Sequence, residues 1–170
     1  MMDYNNTDVI IARATPLGRS ALAVIRLSGP NLSSIVKIIA GLKKIQKRYA
    51  YLIQLKSPYN QQIIDTCILI YYKGPDSFTG EDLVEISCHG GDAIANHIIN
   101  DFILYGIRIA LPGEFSYRAF KNNKIDLIQA ESIAAKIAQN NNQYGAALQN
   151  LENGVVSKKM YQLKNKVLVI

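Results

Sequence analysis

From residue 8 to residue 110 the chain alternates short apolar runs with loops built on glycine and proline, and from Asp126 onward that texture ends. Asp8–Ala12, Ala21–Leu27, Tyr49–Leu55, Ile63–Tyr72, Leu83–Cys88 and Ile107–Ala110 have the length and the β-branched or aromatic content of strands. Thr15-Pro16-Leu17-Gly18-Arg19 is a turn-rich loop between the first two. Ser28-Gly29-Pro30 is expected to break the second strand. Leu32, Ile35, Val36 and Ile39 then recur at helical spacing, with Pro30 suited to the first turn and Gly41 to the C-terminal stop. A second helix is expected after Gly90-Gly91, carrying Ile94, Ile98, Ile99 and Phe102 on one face. Beyond Asp126 there is no proline, and Leu127, Ala130, Ile133, Ala134 and Ile137 keep helical spacing. A kink is expected at Gln139–Gln143 and a further helix from about Gly145. The expected plan is an α+β domain over residues 1–121, then the beginning of an α-helical domain over 122–170. The last residues, Lys166-Val167-Leu168-Val169-Ile170, are largely apolar and uncapped, so that helix is expected to reach for something beyond the chain.

Composition excludes several classes. At 49% hydrophobic and 19% charged over 170 residues, the chain is neither disordered nor fibrous and is long enough to bury a core. No apolar run approaches the roughly 18–20 residues that span a bilayer, and the first residues have neither a basic nor an apolar leader region. Cys67 and Cys88 lie inside apolar runs, with neither a disulfide framework nor zinc spacing. A cytoplasmic location without membrane contact is expected. The net charge of +6 is local: Lys43, Lys44, Lys47 and Arg48 form one patch, and Lys158, Lys159, Lys164 and Lys166 another. Such patches attract phosphate backbones, although charge runs are commonly plain solvated surface.

Chemistry is expected where ions interrupt apolar strands. Arg26 lies within Ala23–Leu27 and Glu85 within Leu83–Ile86. A charge there either points outward on the polar face or is paired at a site, because burying it alone is costly. Gly74-Pro75-Asp76-Ser77-Phe78-Thr79-Gly80-Glu81-Asp82 concentrates turn residues and acids between two strands. Cys88-His89-Gly90-Gly91 stands at a strand-to-helix junction, where the glycines either admit a ligand or only make the turn. His89 has no companion at metal spacing, and Cys88 points away from it. Asn123-Lys124-Ile125-Asp126 fits the N-K-x-D pattern that reads guanine, but the chain holds no G-x-x-x-x-G-K-[ST] phosphate loop, so it is not read as a nucleotide site.

Taken in order, these loops resemble a known signature. Its parts are Ala14–Arg19, Val24–Pro30, Gly74–Asp82, His89-Gly90-Gly91, Pro112-Gly113-Glu114-Phe115, Arg118-Ala119-Phe120, Asn123–Leu127 and Gln129-Ala130-Glu131. Together they resemble the N-terminal part of the tRNA modification GTPase family known as MnmE or TrmE. The resemblance implies a fold similar to the tetrahydrofolate-binding domain of the glycine-cleavage aminomethyltransferase, binding 5-formyl-tetrahydrofolate or a related one-carbon tetrahydrofolate. It also implies a homodimer through this domain, followed by a helical domain with an inserted GTPase domain. With the flavoprotein MnmG, such an enzyme modifies C5 of the wobble uridine of certain tRNAs. By motif, the folate-binding positions fall on Arg26, Glu85 and Lys124; no catalytic residue and no metal site is carried over. A carboxylate at Glu85 suits the N–H edge of a pterin, and cations at Arg26 and Lys124 suit the carbonyls and glutamyl tail. GTP, magnesium and potassium belong to the full-length family. Lacking a phosphate loop, a GTPase domain and the family's C-terminal Cys motif, the chain is expected to be truncated before the GTPase domain and inactive on GTP alone. The alternatives are a non-catalytic remnant that dimerises or pairs with a separately encoded remainder, and a basic tRNA-binding module.

Overall fold

The computed structural model describes residues 8–138, 150–151 and 153–167. The chain divides into two compact units, Met1–Phe115 and Ser116–Ile170. In the first, the strands are β1 (Ile10–Arg13), β2 (Leu22–Gly29), β3 (Ala50–Lys56), β4 (Ile63–Tyr72), β5 (Asp82–His89) and β6 (Arg108–Ile109). They form one sheet in the order β3-β4-β5-β2-β1-β6, antiparallel throughout except where β1 meets β6. The helices of this unit are α1 (Leu32–Ala40) and α2 (Asp92–Leu104). The architecture is mixed α+β.

Alternation along the strands selects the core. Ala23, Ile25 and Leu27 of β2 lie across from Cys88, Ile86 and Val84 of β5, and Leu69 of β4 lies across from Ile86. All are buried, and Leu32, Val36 and Ile39 of α1 with Ala95, Ile98 and Phe102 of α2 close over that face. Period two in the strands and spacings of three and four in the helices thus converge on one layer. Gly41 ends α1 in the left-handed conformation, and the following N–H, from Leu42, returns to the Lys37 carbonyl.

Most strand ends shift by one or two residues from expectation, and the junction of β2 with α1 shows why. Strand β2 runs through Ser28 to Gly29, because its ladder with β5 continues to Gly29↔Asp82. Pro30 then precedes α1, which starts at Leu32 behind a left-handed Asn31. A helix not anticipated, α3 (Glu114–Lys121), follows Pro112-Gly113. Its start is set by the buried Glu114, which takes Arg108 of β6, rather than by a local signal.

In the second unit the described helices are α4 (Leu127–Ala138) and α5 (Val155–Val167). The kink expected at Gln139–Gln143 and the final Leu168–Ile170 lie outside the described residues. Among the described residues no helix is long and apolar enough to cross a membrane.

Candidate functional site

The register of β2 against β5 sets Arg26 directly across from Glu85. Both stand one residue off the core series, so both rise from the face of the sheet opposite α1 and α2. Arg26 donates to Glu85 Oε1 through Nε at 3.0 Å and through Nη2 at 2.5 Å. Tyr72, at the end of β4, donates its hydroxyl to Glu85 Oε2 at 3.2 Å. Burial first, and then the Glu85 carboxylate, push the Tyr72 phenol above its ordinary pKa. With side chains 30% and 25% exposed, Arg26 and Glu85 are held in place yet reachable. A carboxylate oxygen accepts two hydrogen bonds, so Oε2 keeps an acceptor site beside Tyr72.

Aromatic rings frame this pair. The Arg26 guanidinium lies 5.6 Å from the centre of Phe78 and 6.0 Å from that of Phe115, within cation–π range. Arg48 lies 5.5 Å from the centre of the Tyr72 ring and donates to the Asp76 carbonyl at 2.7 Å. Arg48, Tyr72, Ser77, Phe78, Leu83 and Glu85 line a cleft of about 220 Å³.

The loop bearing Phe78 is anchored at both ends. Asp82, buried, accepts the Gly74 N–H (3.1 Å) and Lys73 Nζ (3.0 Å) on Oδ1, and the Tyr71 hydroxyl (2.9 Å) on Oδ2. Burial and that carboxylate push the Tyr71 phenol up to about 12. Ser28 donates to Glu81 Oε2 at 2.7 Å, which leaves the Thr79 hydroxyl to donate to Ser28 at 2.7 Å. The turn-and-acid composition of Gly74–Asp82 is therefore the wiring of a rigid loop that presents Phe78 over Arg26.

Phe115 is fixed from the other side. Glu114, fully buried, takes Arg108 on both oxygens at 3.0 and 2.8 Å and the Leu111 N–H at 2.8 Å. Arg108 also donates to Asp8 at 2.8 Å, and the two carboxylates hold the guanidinium further above its ordinary pKa. Pro112-Gly113-Glu114-Phe115 thus nucleates α3 and places its first aromatic ring.

Other motifs resolve into scaffold. His89 Nδ1 pairs with Asp65 at 2.7 Å, and the His89 N–H donates to the same carboxylate at 2.8 Å. Burial raises the Asp65 pKa, but those His89 bonds outweigh it and leave the group below its ordinary value. Cys88, on the opposite face, is buried and its thiol is pushed up by burial, the reverse of an activated nucleophile. A Cβ on Gly90 would collide with the Ser20 carbonyl oxygen, so this glycine serves a close backbone approach. Among the described residues, no three His, Cys, Asp or Glu side chains form a group that could hold a metal ion.

Lys124 belongs to the second unit, exposed in the turn between α3 and α4. Asn123 is left-handed (φ 56), its N–H bonds the Phe120 carbonyl, and the Lys124 N–H bonds that of Ala119, a Schellman ending. Asp126 then accepts the Gln129 N–H while the Gln129 side chain accepts the Asp126 N–H, a capping box for α4. The N-K-x-D pattern here is explained by helix termination and restart.

A sequence model described as "GTP-binding protein TrmE N-terminus" matches residues 9–124. The chain belongs to this family. Two proteins named "tRNA modification GTPase MnmE" illustrate the relationship. That of Legionella pneumophila (strain Corby) is 43% identical over 164 residues, 96% of this chain and 36% of the relative. That of a Nitratiruptor species is 47% identical over 136 residues, 80% of this chain and 30% of the relative. A third so named, from Chlamydia abortus, is 44% identical over 163 residues, 95% of this chain and 36% of the relative. The chain spans about a third of the length of these relatives.

The TrmE-matched stretch contains Arg26 and Glu85 and ends on Lys124. The structure brings Arg26 and Glu85 into direct contact and adds Tyr72, Phe78, Phe115 and Arg48 around them. Phe78 and Phe115 lie inside motifs that stood out in the sequence, though neither was a site candidate. Tyr72 has no signal of its own and Arg48 only its place in the Lys43–Arg48 basic patch: strand pairing brings in the first, and the loop after α1 the second.

Proposed function

We propose that Arg26, Glu85 and Lys124 hold a reduced folate, 5-formyl-tetrahydrofolate or a related one-carbon tetrahydrofolate. In this reading the chain is the cofactor-binding and dimerisation part of a tRNA-modifying GTPase, with a fold similar to that of the glycine-cleavage aminomethyltransferase. The observation that carries it is the Arg26–Glu85 pair, fixed by Tyr72 and set between two aromatic rings at a cleft. A pterin ring presents adjacent N–H donors along one edge and a flat π-face. Glu85 Oε2 is an acceptor held in position for the first, and Phe78 offers a surface for the second. At about 220 Å³ the cleft is smaller than the roughly 300–1,000 Å³ that enclose a drug-sized ligand. It suits the bicyclic end of a folate, with the glutamyl tail outside; a cation such as Lys124 is assigned to that tail by motif alone.

Bound there, the folate supplies a one-carbon unit; the residues of this chain bind and orient it. Glu85 fixes the ring edge, Arg26 holds the Glu85 carboxylate aligned, and Phe78 excludes water from one face. The complete activity belongs to an assembly: a homodimer, the partner MnmG, and C5 of a wobble uridine in tRNA as the site modified. GTP hydrolysis is assigned to none of these 170 residues. Calorimetric titration of the chain with 5-formyl-tetrahydrofolate tests the binding role. Saturable binding that Glu85→Ala weakens by at least about tenfold, or about 1.4 kcal/mol, is expected. Equal affinity in Glu85→Ala would remove the pterin assignment, and no binding by the wild type would leave a dimerisation module without a cofactor.

A further inference from the structure

We propose that a second cleft, on the opposite side of the sheet, is a phosphate site that takes the sugar–phosphate backbone of RNA. It measures about 480 Å³ and is lined by Ser33 and Lys37 of α1, Lys44, Ile45 and Lys47 of the following loop, and Tyr71 and Lys73 at the end of β4. Tyr71 faces the core side while Tyr72 reaches Glu85 on the other, so this cleft is separate from the folate candidate.

Its floor is built. Tyr71 is 4% exposed and held by a 2.9 Å hydrogen bond to Asp82 beneath it, itself 5% exposed. Its rim is cationic in excess. Lys73 is matched by Asp82 at 3.0 Å and Lys47 by Asp76 at 3.4 Å, both lysines well exposed. Lys37 and Lys44 have no carboxylate within ion-pair distance among the described residues. Two surplus ammonium groups thus face an open cleft whose other walls carry hydroxyls. Ammonium groups on flexible stems act as point charges, which suits phosphate oxygens in varied orientations rather than one planar carboxylate. A backbone bearing successive phosphates uses several such charges at once. The cleft specifies phosphate; that the phosphate belongs to RNA rests on the tRNA-modification reading above.

The test uses the 170-residue chain and a fluorescent tRNA, followed by anisotropy between about 50 and 200 mM salt. Lys37→Glu with Lys44→Glu is compared with Lys158→Glu with Lys159→Glu, an equal charge change in the other basic patch. All four residues are exposed, so both variants keep the core. The cleft variant is expected to bind about tenfold more weakly or worse, with the log–log salt slope reduced by about 1.5–2. The control is expected to stay within about twofold of wild type. Equal losses in the two variants would mean diffuse charge and overturn the proposal. Pyrophosphate provides the second arm: competition with tRNA in the wild type supports one shared site. Pyrophosphate binding that the cleft variant loses, with no tRNA binding by the wild type, would overturn the RNA assignment. Titration of the cleft variant with 5-formyl-tetrahydrofolate separates the two readings, since unchanged folate affinity beside lost tRNA affinity is expected.

Discussion

Truncating Arg26 and Glu85 to alanine, singly and together, isolates the interaction on which the candidate site is built. Two unit charges about 4 Å apart attract by about 4 kcal/mol at the effective dielectric of about 20 that suits protein sites. With side chains 30% and 25% exposed, the pair is neither fully screened nor dry, and desolvation and side-chain ordering take back most of that attraction. A coupling energy of about 1–2 kcal/mol remains, above the usual exposed pair and below a buried one. Arg26→Ala also gives up its contacts with Phe78 and Phe115, about 0.5–1 kcal/mol each, for a total of about 2–4 kcal/mol. Glu85→Ala leaves Arg26 and the Tyr72 hydroxyl without their acceptor and costs about 2–3 kcal/mol. Urea unfolding followed by far-UV circular dichroism measures all four proteins, and the double mutant should fall short of the sum by the coupling energy. Additivity within about 0.3–0.5 kcal/mol would show that the two side chains stand independently, and the view of Glu85 as a preorganised acceptor would fail.

Three further outcomes follow from the same geometry. Gly90→Ala drives a methyl group against the Ser20 carbonyl and should cost about 1–3 kcal/mol, or about 2–4 °C of Tm per kcal/mol; an unchanged Tm would contradict the close approach. Glu114→Ala removes the acceptor for Leu111 and Arg108 and should cost about 2–4 kcal/mol. It should also weaken folate binding by loosening Phe115, so intact affinity at reduced stability would show that Phe115 plays no part. The Asp65 pKa is depressed in the fold because the His89 bonds outweigh the effect of burial. Its contribution is therefore complete above the unfolded value and lost as pH falls through the folded one, so stability should drop below about pH 4. Asp65→Asn should flatten that limb of the stability profile; a superimposable profile would refute the assignment.

Much of the sheet was legible because its periodicity is simple. Ile63–Tyr72 matches β4 to the residue, and the charged interruptions at Arg26 and Glu85 were visible against apolar neighbours. Their pairing was not, since a strand carries no mark of which residue it will face; only the register of β2 against β5 shows it. Tyr72 reads as strand content, and nothing in its neighbours sets it apart from Tyr71. One residue of alternation sends the first to Glu85 and the second to Asp82. Helix α3 was missed for a different reason: its start is set by a buried Glu114 that answers Arg108 of β6, a tertiary cause with no local signature. Arg48 was legible only as charge, and the loop after α1 carries it to the Tyr72 ring.

Where a folate binds tests the role of Glu85 and Phe78 most directly. A crystal structure of the chain grown with 5-formyl-tetrahydrofolate should show the pterin edge hydrogen-bonded to Glu85 and its face against Phe78. Electron density for the ring anywhere else on the protein, with Glu85 still bonded only to Arg26 and Tyr72, would contradict it.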